Sequence, residues 1–370
     1  MKKQLQTLWT QMNEKKNHSL SMVVGMDGFV DEIIHVVDKR QNITDFDRIS
    51  TIKDYGELVL RAAGLSTNIE MVPVQVRAGG NSAYMAAAFL ALGVKVTHIG
   101  ALGNPIHPVY HDISTKAEKV YSLCNPGRNM CFEFDDGKLM VLEPDVYKAI
   151  TWERIKEVVG MPEVIADMLD NCDTFCLLDW SLVFNQNCNM QSIIDEVFPL
   201  MKNRAVKPIA FFDLSDPEKR TKESILEGLE IISKFESKFR TILGLNEKEL
   251  HQIADALDIK AEGLKDTTMA IYEKMKIYCV MSHPVKEACC VVRGQYYHVE
   301  GPFCAKPLTT TGAGDNFNSG FCIGSALEFD PTSALTLGVC ASGFFVRNAK
   351  SATYREIMDF AEKWAKDGNI

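Results

Sequence analysis

Apolar positions along this chain fall into two kinds of run. Short continuous blocks alternate with longer stretches at helical spacing, and that alternation predicts an α/β protein built on a mostly parallel sheet. Ser21–Gly25 is a short apolar block ended by glycine and reads as a buried strand. Ala83–Leu92 is an Ala-rich helix stopped by Gly93, and Lys95–Ile99 is the next strand. From about residue 150 the rhythm is regular. Strands are expected at Thr174–Leu178, Pro208–Asp213, Thr241–Leu243 and Ile277–Met281, with helices near 188–201, 222–239, 246–257 and 263–275. Ala288–Arg293 and Gln295–Val299 read as a hairpin about Arg293-Gly294, followed by helices near 314–327, 331–347 and 353–366. Residues 1–18 read as a polar helix or a loose arm.

One region breaks this pattern. Met130–Glu143 is two alternating segments around Asp135-Asp136-Gly137, a hairpin signal, and Val72–Arg77 is also extended. Antiparallel pieces inside an α/β chain predict a small β-sheet insertion, a lid over about 28–78 and 125–145 of a single domain spanning 1–370. Ligands are expected at the carboxyl ends of the parallel strands.

Composition narrows the function. A 370-residue chain that is 46% apolar and 24% charged is an ordinary packed protein. Its formal charge of -9 argues against nucleic acid or an anionic membrane as the partner. No stretch approaches the ~20 apolar residues of a membrane span. Eleven cysteines are scattered without a Cys-x-x-Cys pair, which points to reduced thiols in a cytoplasmic protein.

The chemistry concentrates in Thr309-Thr310-Thr311-Gly312-Ala313-Gly314-Asp315-Asn316-Phe317. Glycines let backbone N–H groups converge at a helix start, where the dipole favours an anion. An acid beside such an anion hole suits phosphoryl transfer to a hydroxyl: the amides hold the moving charge and Asp315 takes the proton. An ordinary Asp pKa of about 3.9 keeps it ionised at neutral pH. The bland reading is a helix-capping acid.

Thr310–Phe317 resembles the C-terminal signature of the ribokinase-like, phosphofructokinase-B-type (PfkB) carbohydrate kinases. The resemblance extends over nearly the whole chain, from about Met22 to Lys363. It implies an α/β/α fold with a β-lid, an anion hole at Gly312, Ala313 and Gly314, and Asp315 as catalytic base. It also implies ATP as phosphate donor with Mg²⁺, a small polyol acceptor such as a sugar or nucleoside, and a homodimer through the lid sheets. Asn246-Glu247-Lys248-Glu249 is similar to the family's Asn-x-x-Glu motif, so Asn246 and Glu249 would order the magnesium; by itself the same spacing is a capping box. Ala78-Gly79-Gly80-Asn81 resembles the N-terminal signature, where Gly79, Gly80 and Asn81 would meet the acceptor. Asp31 and Asp27 compete to grip its hydroxyls, with Asp31 placed first.

Three departures from the family pattern are visible: Thr309 where an Asp is usual, Tyr84 where an Asn is usual, and Met281-Ser282-His283-Pro284 at the donor loop. Thr310, Thr311, Ser282 and His283 are the nucleotide-binding candidates. The donor loop also keeps ADP open as the donor, and a non-catalytic binding protein on the same scaffold is the second reading. A dinucleotide oxidoreductase is set aside, because Gly25-Met26-Asp27-Gly28 lacks the Gly-x-Gly-x-x-Gly turn.

Overall fold

The structure is a computed structural model that describes residues 2–15 and 18–368. Fourteen strands are seen among these residues. In chain order they are β1 (Ser21–Gly25), β2 (Phe29–Arg40), β3 (Phe46–Arg48), β4 (Met71–Gly79), β5 (Lys95–Gly100), β6 (Lys119–Ser122) and β7 (Gly127–Phe134). There follow β8 (Gly137–Glu143), β9 (Thr174–Leu177), β10 (Ile209–Asp213), β11 (Arg240–Leu245), β12 (Cys279–Ser282), β13 (Glu287–Val292) and β14 (Gln295–Glu300).

Nine strands form the large sheet in the order β14-β13-β12-β11-β10-β9-β1-β5-β6. The seven from β12 to β6 run parallel; the β13–β14 hairpin adds antiparallel pairs at one edge. Every residue of β9, β10 and β12 is buried, because helices cover both faces and each face packs its own apolar cluster. The chain builds outward from β1 to β5 and β6, then returns to β9 and builds the other way. The strand order therefore reverses between β1 and β9, and a crevice opens at their carboxyl ends.

The smaller sheet joins β3-β2-β7-β8, with β4 also paired to β2. Its far face carries a separate core of Ile34, Val36, Ile49, Phe132 and Phe134, covered by Tyr55 of the helix Ile52–Arg61. Register decides which residues meet here. Asp31 on β2 stands opposite Arg77 of antiparallel β4 and beside Asn129 of parallel β7.

Several local expectations are corrected. Residues 29–40 form one twelve-residue strand, and the helices Ile52–Arg61, Trp152–Val159 and Pro162–Asp170 were not anticipated. The helix placed at 188–201 is Gln186–Ser192 running into a π-turn at Ile193–Val197. The first helix spans Lys2–Lys15; residues 1, 16 and 17 of that expected arm lie outside the described residues. All eleven cysteines are free thiols. Among the described residues no helix is long and apolar enough to cross a membrane.

Candidate active site

Gly312 opens the helix Ala313–Ala326 with φ at +95°, a conformation that a side chain resists. Asp315 in its first turn is almost fully buried. Of the three amides expected to converge there, Ala313 N–H instead donates to Thr310 O at 3.1 Å, closing a tight turn. The amides of Gly312, Gly314 and Asp315 have no carbonyl partner among the described residues, so they remain as donors at the turn.

This turn is the wall between two cavities. Gly312, Thr311 and Asp315 line one of about 430 Å³; Ala313, Gly314 and Thr310 line another of about 360 Å³, and Asn246 reaches both. The first is polar. Its walls include Asp31, Gly80, Asn81, Tyr84, Asn129 and Asp179. The second is mostly apolar, with Phe317, Pro302, Phe303, Val339 and Val346 around His283.

Asp31 is fixed from two sides: Asn129 Nδ2 donates to Oδ1 at 2.9 Å and Tyr84 Oη to Oδ2 at 3.2 Å. Arg77 Nε lies 4.0 Å from Oδ2. Burial still raises the Asp31 pKa, against the lowering pull of these donors. Gly79 gives Asp31 room, since a β-carbon there would overlap the carboxylate. Asp27 is a different case. It does not line the cavity; its Oδ1 accepts from Ser82 N–H at 2.8 Å at the start of the helix Asn81–Ala91. Burial pushes its carboxyl up to about 6. Asp27 thus caps a helix, and Asp31 alone of the pair faces the cavity.

Sequence reasoning missed Asp179 and gave Asp213 no firm role. Asp179 follows β9 with φ at +54°, is buried, and its Oδ1 lacks a hydrogen-bond partner among the described residues. Its loop is braced by Arg220, whose guanidinium donates to the carbonyls of Ser181 and Val183 and stacks over Trp180. Trp180 is buried in the core. Asp213 ends β10 and accepts from Asn81 Nδ2 at 3.3 Å and Asn318 Nδ2 at 3.0 Å. No motif marks Asp179, and Asp213-Leu214-Ser215-Asp216 reads equally as a loop near the phosphates and as a helix-capping turn. Strand order sets both acids at the carboxyl ends of neighbouring strands.

Together the acids alter one another. Burial raises the Asp315 pKa well above the carboxylate range, and the charges of Asp213 and Asp27 add to it. The expectation of an ordinary value at Asp315 is thereby corrected: a cluster of acids under low dielectric favours the protonated form. Asp179 and Asp213 are raised in the same way, burial first.

Asn246 and Glu249 form a reciprocal capping box at the helix Glu247–Ala256. Glu249 Oε2 accepts from Asn246 N–H at 2.9 Å and Oε1 from Asp216 N–H at 3.3 Å. Each oxygen thus accepts one backbone N–H, which leaves the carboxylate able to order magnesium only with its remaining lone pairs or through water. Among the described residues no group of three or more His, Cys, Asp or Glu is arranged to hold a metal. At the donor loop, Ser282 is buried inside β12 and absent from either cavity wall. His283 does line the apolar cavity, with its ring 5.0 Å from that of Phe317 and beside Gly314.

Comparison with known proteins places this arrangement. The chain is similar to the curated ketohexokinase of Haloferax volcanii, 25% identical over 342 residues, covering 92% of this chain and 90% of the relative. Its fold matches a ribokinase of Thermotoga maritima at TM-score 0.63 and 15% identity, covering 93% and 99% of the two chains. It also matches an Arabidopsis thaliana ribokinase complexed with ribose and ATP, at TM-score 0.61 and 15% identity over 93% and 99%. The family model described as prokaryotic ketohexokinase matches residues 4–364. The chain therefore belongs to the prokaryotic ketohexokinase family and is a carbohydrate kinase of ribokinase-like fold.

Proposed function

We propose that this protein transfers the γ-phosphoryl group of ATP to a hydroxyl of a ketohexose. One observation supports the reading: the glycine turn that carries Asp315 lines both cavities, and its Gly312 and Gly314 amides bond to no carbonyl among the described residues. The polar cavity suits the sugar and the apolar one the nucleotide. Asp31 from the smaller sheet and Asp179 from the end of β9 would accept hydrogen bonds from sugar hydroxyls on opposite walls. His283 and Thr310 would contact the nucleotide beside Phe317 and Val339.

Transfer needs a proton acceptor and a charge sink. The acceptor oxygen forms its bond to phosphorus as the bond to the bridging oxygen of ADP breaks, and its proton passes to a carboxylate oxygen of Asp315. The amides of Gly312 and Gly314 hold the charge on the moving phosphoryl group. The oxygen-bearing side chains of Asn246 and Glu249 fit magnesium held through its waters and the nucleotide phosphates. Bound there, magnesium would neutralise phosphate charge and lower the pKa values of the neighbouring acids. The smaller sheet, as a lid, would exclude water from the polar cavity.

Val74 and Val76 are exposed on β4, whose outer edge pairs with no strand among the described residues. They support a homodimer joined through these sheets; sedimentation at the mass of a single chain would refute it.

The direct test is Asp315→Asn assayed by ADP release with ketohexoses. The expected result is a loss of several orders of magnitude in kcat with ATP still bound. Unchanged turnover removes Asp315 as the base. Activity of the wild type with ADP but not ATP, or with nucleosides but not ketohexoses, overturns the donor or the acceptor respectively.

A further inference from the structure

Tyr84 has no part in the transfer steps assigned to Asp315, yet it touches both halves of the site. Its hydroxyl donates to Asp31 Oδ2 at 3.2 Å. Its ring lies against the glycine turn, where a β-carbon on Gly312 would stand 2.7 Å from Cδ1 and 3.0 Å from Cε1. The ring also borders the polar cavity between Asp31 and Gly312. Asp31's other oxygen is held by Asn129. A phenol has few torsions to lose, so it spans two sites more stiffly than an amide or a lysine could.

We infer that Tyr84 is a positioning residue with two separable jobs. Its hydroxyl aims the Asp31 carboxylate at the acceptor, and its flat ring supports the left-handed turn at Gly312 that receives the phosphoryl group. The distance between acceptor and anion hole is then set by one side chain. This inference rests on the kinase reading above, with Asp31 as acceptor ligand.

The two jobs come apart by substitution. Tyr84→Phe keeps the ring and deletes the hydroxyl. It should raise the acceptor KM by about tenfold, in the range of a lost hydrogen bond to a charged group, with kcat within about twofold. Tyr84→Leu also deletes the flat ring and should lower kcat by a further factor of about 10 or more, through misplacement of the turn. The ATP KM should hold in both, because the apolar cavity does not include Tyr84.

The assay is ADP release with D-fructose, alongside thermal melting of each variant. A Tyr84→Phe enzyme with the wild-type acceptor KM overturns the inference. So does a pair of variants that lose kcat and melting temperature together with no change in acceptor KM, which is simple destabilisation. Should Tyr84→Leu fail to fold, the isosteric Tyr84→Phe result decides alone. A wild type that ignores ketohexoses but phosphorylates another polyol overturns only the acceptor identity, and the split is read on that polyol. A wild type inert toward every polyol overturns both.

Discussion

Asp31 occupies the space where a side chain of residue 79 would be. A β-carbon on Gly79 would overlap its carboxylate, so the glycine is required by close approach and not by a turn. Gly79→Ala should therefore push Asp31 off Asn129 and Tyr84. The expected outcome is a fall of about 100-fold or more in kcat/KM for the sugar with ATP affinity retained, since orienting groups displaced by an ångström lose rates of that order. Steady-state kinetics against each substrate checks it.

The pH profile of turnover reports the acid cluster. Asp315 must be ionised to take a proton, and its pKa is raised by burial and then by Asp213. Activity should fall as pH drops through a limb lying above the ordinary carboxylate range. Asp213→Asn removes the like charge that raises the Asp315 pKa most and should move that limb to lower pH. A limb that stays in place would show that Asp213 does not act on the base.

Asp27 makes a stability prediction with a definite sign. Its folded pKa of about 6 exceeds the ordinary 3.8, so the native state binds the extra proton between those values. Stability should decline as pH rises from about 4 to 6, by an amount on the order of 3 kcal/mol from this residue. Asp27→Asn should flatten that decline in urea titrations at several pH values. An unchanged slope would assign the proton elsewhere.

His283 lines the apolar cavity proposed for the donor. Burial lowers its pKa to about 4, so the ring is neutral throughout the working range. His283→Ala should raise the ATP KM several-fold through lost packing beside Gly314 and Phe317, with no change in the sugar KM. The effect should be the same at pH 6 and pH 8. A pH-dependent defect would mean that the imidazolium matters.

The parts of the molecule legible in the sequence are those whose residues are neighbours in the chain. Gly312–Asp315 is contiguous, and so is the hairpin at Asp135-Asp136, whose two strands the structure places at Gly127–Phe134 and Gly137–Glu143. Asp179 is an isolated acid in an apolar run, and Asn129 and Asp213 lie far from it in the chain; the three come near one another only when β7, β9 and β10 are ordered in space. Asn246-x-x-Glu249 shows the reverse difficulty. The spacing reads equally as a metal motif and as a capping box, and the capping box is what the backbone amides of Asn246 and Asp216 form with the Glu249 carboxylate. The strand over residues 29–40 was hidden because its far end is exposed and charged, which reads as a loop.

Under the proposed assignment, fuel and cargo would occupy separate rooms with the turn at residues 310–315 as the partition between them. Substitutions at the sugar side, in the smaller sheet or after β9, can retune what is accepted while the energy source stays as it was. The reverse holds for the loop around His283. Such independence gives one scaffold two specificities that can drift apart without renegotiating each other.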